Sequence, residues 1–362
     1  MARFGQATPC FKIAARSPKG PALPLCLKGS LLSQPRLDVV AIGNAIVDVL
    51  APAQHDLITE LGLTAGGMQL VDAEQANLLY GRMGSAKEIS GGSAANTIAG
   101  MAALGQRCGF IGQVADDQFG RVFTHDIRAI GVEFTTPKRT AEPPTAQCLI
   151  FVTPDGQRTM NTFLGASQYL PAAALDRAMI EDSAILYLEG YLWDPEEPRA
   201  AMRDAITLAR KAGRKVAFTL SDNFVISRHG DDFRSLIDAG QIDILFANDG
   251  EICTLTGESD LEAAIAAVAP KLPTLVVTKS ADGAVAVKNG ERFAVPAEPV
   301  AQVVDTTGAG DLFAAGFLAG QAQGRNVTDS LTIGAVCAAE IISHYGPRPE
   351  ADLQALVKAR LG

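Results

Sequence analysis

The sequence predicts an α/β fold: a largely parallel sheet with helices on both faces. Two observations carry this. Apolar, β-branched runs recur along the chain, and between several of them lie Ala-rich amphipathic segments of helix length, such as EPRAAMRDAITLARKAG and LEAAIAAVAPKL. The runs are also nearly continuous in apolar character rather than alternating, as expected of strands covered on both faces. With 362 residues, 48% of them hydrophobic, the chain is long enough to bury a large core without disulfide or metal staples.

Taken in order, residues 1–36 stand apart. They carry Arg3, Lys12, Arg16, Lys19, Lys28 and Arg36 and no acidic residue, and their apolar part, PALPLCL, is broken by proline. This reads as a disordered N-terminal extension, with the folded domain over residues 37–362. LDVVAI is the first strand and ends on Gly43, which places Asn44 and Asp48 just beyond it, at the edge where α/β sheets bind ligands. GGSAANTIAGMAALG then opens a helix on the pair Gly91 and Gly92, with Ser93 and Asn96 in its first turns. CGFIGQV, QCLIFVT, AILYLEG, KVAFTL, IDILFAN and TLVVTKS follow as strands. One region breaks the alternation: TPDGQ, between QCLIFVT and RTMNTF, is a hairpin turn, which makes residues 145–165 a candidate lid or an edge pair of no functional consequence.

The stretch VDTTGAGD, residues 304–311, precedes the helical LFAAGFLAG. Gly308, Ala309 and Gly310 therefore sit at a helix N-terminus, where unpaired amides and the helix dipole favour an anion. Asp311 is either a cap of that helix or a general base beside a transferring phosphoryl group. No lysine follows, so this is not the P-loop, and Phe313 stands where a dinucleotide fingerprint has its third glycine. Asn248-x-x-Glu251, after IDILF, is an N-capping box or a pair that holds Mg²⁺ through water. Tyr191 and Trp193, after AILYLE, are core aromatics or the wall of a flat slot.

Bulk properties exclude several classes. A net charge of −9 and a pI near 5.0 argue against a nucleic-acid partner. There is no apolar run long enough to span a membrane, no C-x-x-C and no H-E-x-x-H among four histidines. The six cysteines read as reduced thiols of a cytoplasmic protein, a monomer or homodimer acting on a small molecule.

DTTGAGDLF resembles the C-terminal signature of the ribokinase-like (PfkB) carbohydrate and nucleoside kinases. GGSAANTIAGMAALG resembles their N-terminal signature, GNAIVD their first-strand substrate motif, NDGE their N-x-x-E motif and PDGQRTM their lid hairpin. The resemblance runs from about residue 37 to the C-terminus. It implies a three-layer α/β/α fold with a mostly parallel central sheet and a small β-strand lid, drawn from residues around 145–165 and near 48–70. It implies ATP as phosphoryl donor with Mg²⁺ at Asn248 and Glu251, Asp311 as base, and Gly308, Ala309 and Gly310 as anion hole. The nucleotide would lie against Thr278, Ser280, Gly283 and Thr307, although Ser280 replaces the usual first glycine of that loop. Asp305 and Thr307 match positions that bind an activating monovalent cation, K⁺, in some members.

The acceptor would be held by Asn44, Asp48, Gly91, Gly92, Ser93, Asn96, Met160 and Tyr191. GLTAGGMQLVD, LEGYLWDP and SHYGPRP resemble the adenosine kinase branch, which implies adenosine phosphorylated at its 5′-hydroxyl. Trp193, Met68, Leu70 and Leu164 are expected to help wall the base. A sugar or sugar-acid acceptor is the alternative.

Overall fold

The computed structural model describes residues 35–362; the expected disordered extension falls almost wholly outside them. Its last residue, Arg36, already belongs to the folded unit: it pairs with Glu133, and its Nε donates to Asp182 over 3.2 Å.

Among the described residues fourteen strands form two sheets. In chain order they are β1 (Leu37–Ile42), β2 (Ile46–Pro52), β3 (Met68–Leu70), β4 (Lys87–Gly91), β5 (Cys108–Ile111), β6 (Glu133–Phe134), β7 (Ala146–Val152), β8 (Arg158–Phe163), β9 (Ser183–Glu189), β10 (Lys215–Thr219), β11 (Ile244–Asn248), β12 (Thr274–Thr278), β13 (Ala284–Lys288) and β14 (Glu291–Val295). The large sheet runs β14-β13-β12-β11-β10-β9-β1-β5-β6. All its pairs are parallel except β12 with β13 and β13 with β14.

Strand β1 shows why its sequence is continuously apolar. Val39 and Ala41 face a layer containing Leu312, Ala315 and Phe317, whereas Val40 and Ile42 face the other, with Ala205, Ile206 and Phe233. Both sets are fully buried, so alternation of side produces no alternation of polarity. The three-layer architecture predicted from the resemblance is present.

The small sheet runs β3-β8-β7-β2-β4 and contains the anticipated hairpin. Gly156 takes a left-handed φ of +82°, and the turn closes through Thr153 N–H to Gln157 O at 2.9 Å. QCLIFVT is β7 of this sheet, paired with β2 and β8. Asp48, just beyond β1, sits inside β2, which starts after a gap of three residues. No helix among the described residues is long and apolar enough to cross a membrane.

Candidate active site

A cavity of about 990 Å³ lies between the two sheets, over the C-terminal ends of β10, β11 and β12 at Thr219, Asn248 and Thr278. Facing those ends is the N-terminus of the helix Ala309–Ala322. Gly308 caps it at φ +79°, a conformation that costs glycine little. Of the three small residues, Ala309 has its amide occupied by Thr306 O at 3.2 Å, whereas among the described residues the Gly310 and Asp311 amides meet no acceptor. An added Cβ on Gly310 would meet nothing within 4 Å, so its missing side chain leaves open space in front of those amides. An anion entering here would find two free donors and the positive end of the dipole.

Asp311 does not cap its helix. Its Oδ1 accepts from Ser93 Oγ at 2.6 Å and its Oδ2 from Asn96 Nδ2 at 3.1 Å. Both donors lie on the helix Ser93–Ala103, which approaches closely because Gly100 faces Leu312 and Ala315: a Cβ there would stand 2.5 Å from Leu312 and 2.8 Å from Ala315. Burial raises the Asp311 pKa, opposed by the two hydrogen bonds and by the Arg348 charge.

At the small-sheet end stands Asp48, 7% exposed. Burial pushes its pKa from an ordinary 3.8 to about 6, against the pull of Arg348 and Arg158. Gly91, on the neighbouring strand β4, explains how the carboxylate fits: a Cβ at Gly91 would lie 2.5 Å from Asp48 Oδ2. Asn96 lines the same space. Its Oδ1 is buried and among the described residues has no partner, an orphaned acceptor of the kind a ligand hydroxyl satisfies. Ile46, Cys148 and Met160 supply apolar wall beside these polar groups, and Tyr191, in the turn after β9, borders the same cavity with Asp222, Asp311 and Glu251 as its charged neighbours.

Several expected wall and contact residues lie elsewhere. Asn44 is 4% exposed and does not line the cavity; its backbone N–H and Nδ2 both donate to Glu189 Oε1 at 2.7 Å. Glu189 Oε2 also accepts from Ala94 N–H at 2.7 Å, so one carboxylate ties the β1–β2 connection to the start of the Ser93–Ala103 helix. Gly92, at φ +100°, lets that helix start against Asn44 O, which a Cβ would strike at 2.1 Å. Trp193 is fully buried on the opposite side of the large sheet, edge-on to Phe218 and Phe233, with Nε1 donating to Asp232 at 2.9 Å. Met68 and Leu70 on edge strand β3 are 57% and 64% exposed, and neither they nor Leu164 line the cavity.

At the other end, Asn248 and Glu251 do form a capping box. Asn248 Oδ1 accepts from Glu251 N–H at 2.7 Å, and Glu251 Oε2 accepts from Asn248 N–H at 3.0 Å. Both also line the cavity, and burial pushes Glu251 to about 7. Ser280 takes φ +50°, the left-handed region that favours glycine, so the serine occupies a glycine conformation in this loop. Gly283, at φ +83°, has Val295 O where a Cβ would be, at 2.1 Å. Thr278, Ser280, Gly283 and Thr307 all border the cavity. Asp305 does not; its carboxylate pairs with Arg158.

Three functional-site neighbours escaped the sequence reading: Glu189, Arg158 and Arg348. Arg348 lies in SHYGPRP. Its guanidinium donates to Ser90 O at 2.6 Å and Ala95 O at 2.8 Å, and burial lowers its pKa to about 10. The signal for Arg158 was present, an arginine at an inward position of an otherwise buried hairpin strand.

The described chain matches the pfkB family carbohydrate kinase model over residues 55–353. The chain belongs to this kinase family. It is accordingly a phosphotransferase that takes an alcohol group of a sugar or nucleoside as acceptor. A fructokinase of Klebsiella pneumoniae is 30% identical over 250 residues, 68% of this chain and 81% of that one. Among solved structures, a probable sugar kinase of Rhizobium etli is 44% identical with a TM-score of 0.84, over 90% of the kinase described here and 99% of that chain. An adenosine kinase of Sinorhizobium meliloti is 45% identical with a TM-score of 0.83, over the same shares.

Proposed function

We propose that the protein is an adenosine kinase, transferring the γ-phosphoryl group of ATP to the adenosine 5′-hydroxyl. The observation that carries the reading is the wall around Asp48. Ile46, Cys148 and Met160 offer an apolar face beside the Asp48 carboxylate and the orphaned Asn96 Oδ1, suited to ribose hydroxyls, and Tyr191 adds an aromatic ring to the same cavity, suited to a purine. A site built for a bare sugar needs polar groups on most sides. The 45% identity to an adenosine kinase supports the same acceptor.

In this reading Asp311 accepts the proton of the attacking hydroxyl, held in position by Ser93 and Asn96. The Gly310 and Asp311 amides and the helix dipole take up charge on the transferring group. Kinases of this family use ATP with Mg²⁺. Among the described residues no cluster of three or more His, Cys, Asp or Glu side chains stands ready to cage a metal. Glu251 and Asn248 fit a hydrated Mg²⁺ that arrives with the nucleotide and neutralises phosphate charge. The small sheet, carrying Asp48 and Met160, acts as the lid that keeps water from the transferred group.

A panel of adenosine, ribose, fructose and sugar acids with Mg-ATP, read by ADP release and product mass, tests the acceptor. AMP as the product with the highest kcat/KM is expected; a sugar phosphate at higher kcat/KM would replace adenosine by a carbohydrate.

A further inference from the structure

Asp305 precedes the glycine loop and matches a position that holds a monovalent cation in some relatives. Its carboxylate in this chain is already engaged. Oδ1 accepts from Thr307 N–H at 3.0 Å, and Oδ2 accepts from Gly346 N–H at 3.2 Å and pairs with Arg158 Nη1. A carboxylate has about four lone-pair directions, so three filled ones, one by a full positive charge, leave little for an ion that needs several oxygen ligands. The Arg158 and Asp305 side chains are only 6% and 7% exposed. The residues do not fit a bound K⁺.

We infer that Arg158 is a built-in replacement for that cation, a positioning residue through which the small sheet sets the glycine loop. A monovalent ion beside Asp305 would neutralise its charge, which otherwise opposes an anion at the helix N-terminus. The guanidinium performs that neutralisation from within the chain. It is delivered by β8, the strand that also carries Met160 to the cavity wall. The same hairpin touches the far side of the Asp305 pocket: the Tyr345 hydroxyl occupies the place of a Cβ at Gly156. Two further nitrogens of Arg158, Nε and Nη2, are buried and among the described residues have no partner. The charge is therefore held by one carboxylate contact, and its cost of burial is tolerated only while Asp305 stays in place. Docking of the hairpin and neutralisation of the loop are one event, whereas a diffusible ion would leave them separate.

The test replaces K⁺ by Na⁺ and by tetramethylammonium, which is too large to enter, at constant ionic strength. Thermal unfolding of the full chain needs no knowledge of the acceptor. The wild-type midpoint is expected to shift by less than ~1 °C between salts, whereas Arg158→Gln is stabilised by K⁺ or by methylguanidinium, as a ligand that binds only the folded state must do. ADP release with Mg-ATP, measured with adenosine and with fructose, should be independent of the salt in the wild type; loss of one acceptor with both proteins would bear on the acceptor alone. Arg158→Gln is expected to lower kcat at least ~10-fold in tetramethylammonium with KM for ATP less affected, and Arg158→Lys to retain several-fold more activity than Arg158→Gln. Several-fold activation or marked stabilisation of the wild type by K⁺ would overturn the inference. Equal losses in the Gln and Lys variants would overturn it as well, because charge would then not be what Arg158 supplies.

Discussion

The Ser93 hydroxyl donates to Asp311 Oδ1 over 2.6 Å, joining the helix Ser93–Ala103 to the helix Ala309–Ala322 across 218 residues of sequence. With Asn96 on the other oxygen, the carboxylate is oriented by groups outside its own helix and contributes nothing to capping it. Asp311→Asn should therefore cost little stability, while kcat falls by at least ~10²-fold, the usual scale of a general base. Turnover near wild type in a folded Asp311→Asn protein would remove Asp311 from the chemistry.

Asp48, the proposed ligand of the acceptor hydroxyls, carries a thermodynamic penalty. Its carboxyl has a pKa of about 6 in the folded protein against an ordinary 3.8, so the folded state prefers the protonated form. The sign follows: this preference favours folding fully below pH 3.8 and is lost as pH rises through about 6. Asp48→Asn should accordingly raise stability at pH 8 by an amount on the order of 1–3 kcal/mol in urea unfolding. Its kcat/KM should fall by the equivalent of ~2–5 kcal/mol, the scale for losing one side of a buried charge-assisted hydrogen bond. In the wild type, kcat/KM should decline as pH drops below about 6, where Asp48 takes up a proton. A flat acid limb down to pH 5 would contradict the assignment.

Tyr191 is 39% exposed and borders the cavity, in contrast to the enclosed Trp193. Tyr191→Ala should weaken adenosine by ~1–3 kcal/mol in kcat/KM, in the range of a lost aromatic wall, and leave ribose nearly unaffected. Parallel kinetics on the two acceptors read the difference directly; equal losses would place Tyr191 outside the base slot.

Glu251 closes a capping box and borders the cavity. Glu251→Gln should raise the Mg²⁺ concentration needed for half-maximal rate and lower stability by only ~0.5–2 kcal/mol. A Mg²⁺ titration superimposable on the wild type would leave the residue as a cap alone.

Arg348 is a half-buried cation whose loss strands Ser90 O and Ala95 O and exposes Asp48 and Asp311 to each other's charge. Arg348→Met should destabilise the fold by ~3–5 kcal/mol, as measured by denaturant midpoint. A loss below 1 kcal/mol would show that the carbonyls find other donors.

The parallel core was legible because burial on both faces writes itself as runs such as VVAI and AILYLE, and the glycine loop because a helix must follow it. The small sheet was harder to read. β2 follows β1 after three residues, so the stretch LDVVAIGNAIVDVL serves two sheets, and Gly43, which ends β1, does not tell that the next strand joins another sheet. The antiparallel edge of β13 and β14 did carry a signal: Asn289-Gly290, both at positive φ, is a two-residue hairpin turn between alternating residues that the sequence reading passed over. Asn44 was misplaced for a different reason. An amide after a strand looks the same whether it faces a ligand or a buried partner, and the partner, Glu189, is 145 residues away.

The span between Ser93 and Asp311 also bears on how the enzyme is made. During synthesis Ser93 emerges 218 residues before the carboxylate it orients, and the Arg348 contact to Ser90 waits for 258. Domains fold as units, so the constellation of Ser93, Asn96, Asp311 and Arg348 assembles only when nearly the whole domain has been made. A chain interrupted anywhere before the glycine loop lacks Asp311 altogether. With Asp311 as the proposed base, such unfinished copies would hold the acceptor wall without the group that drives transfer.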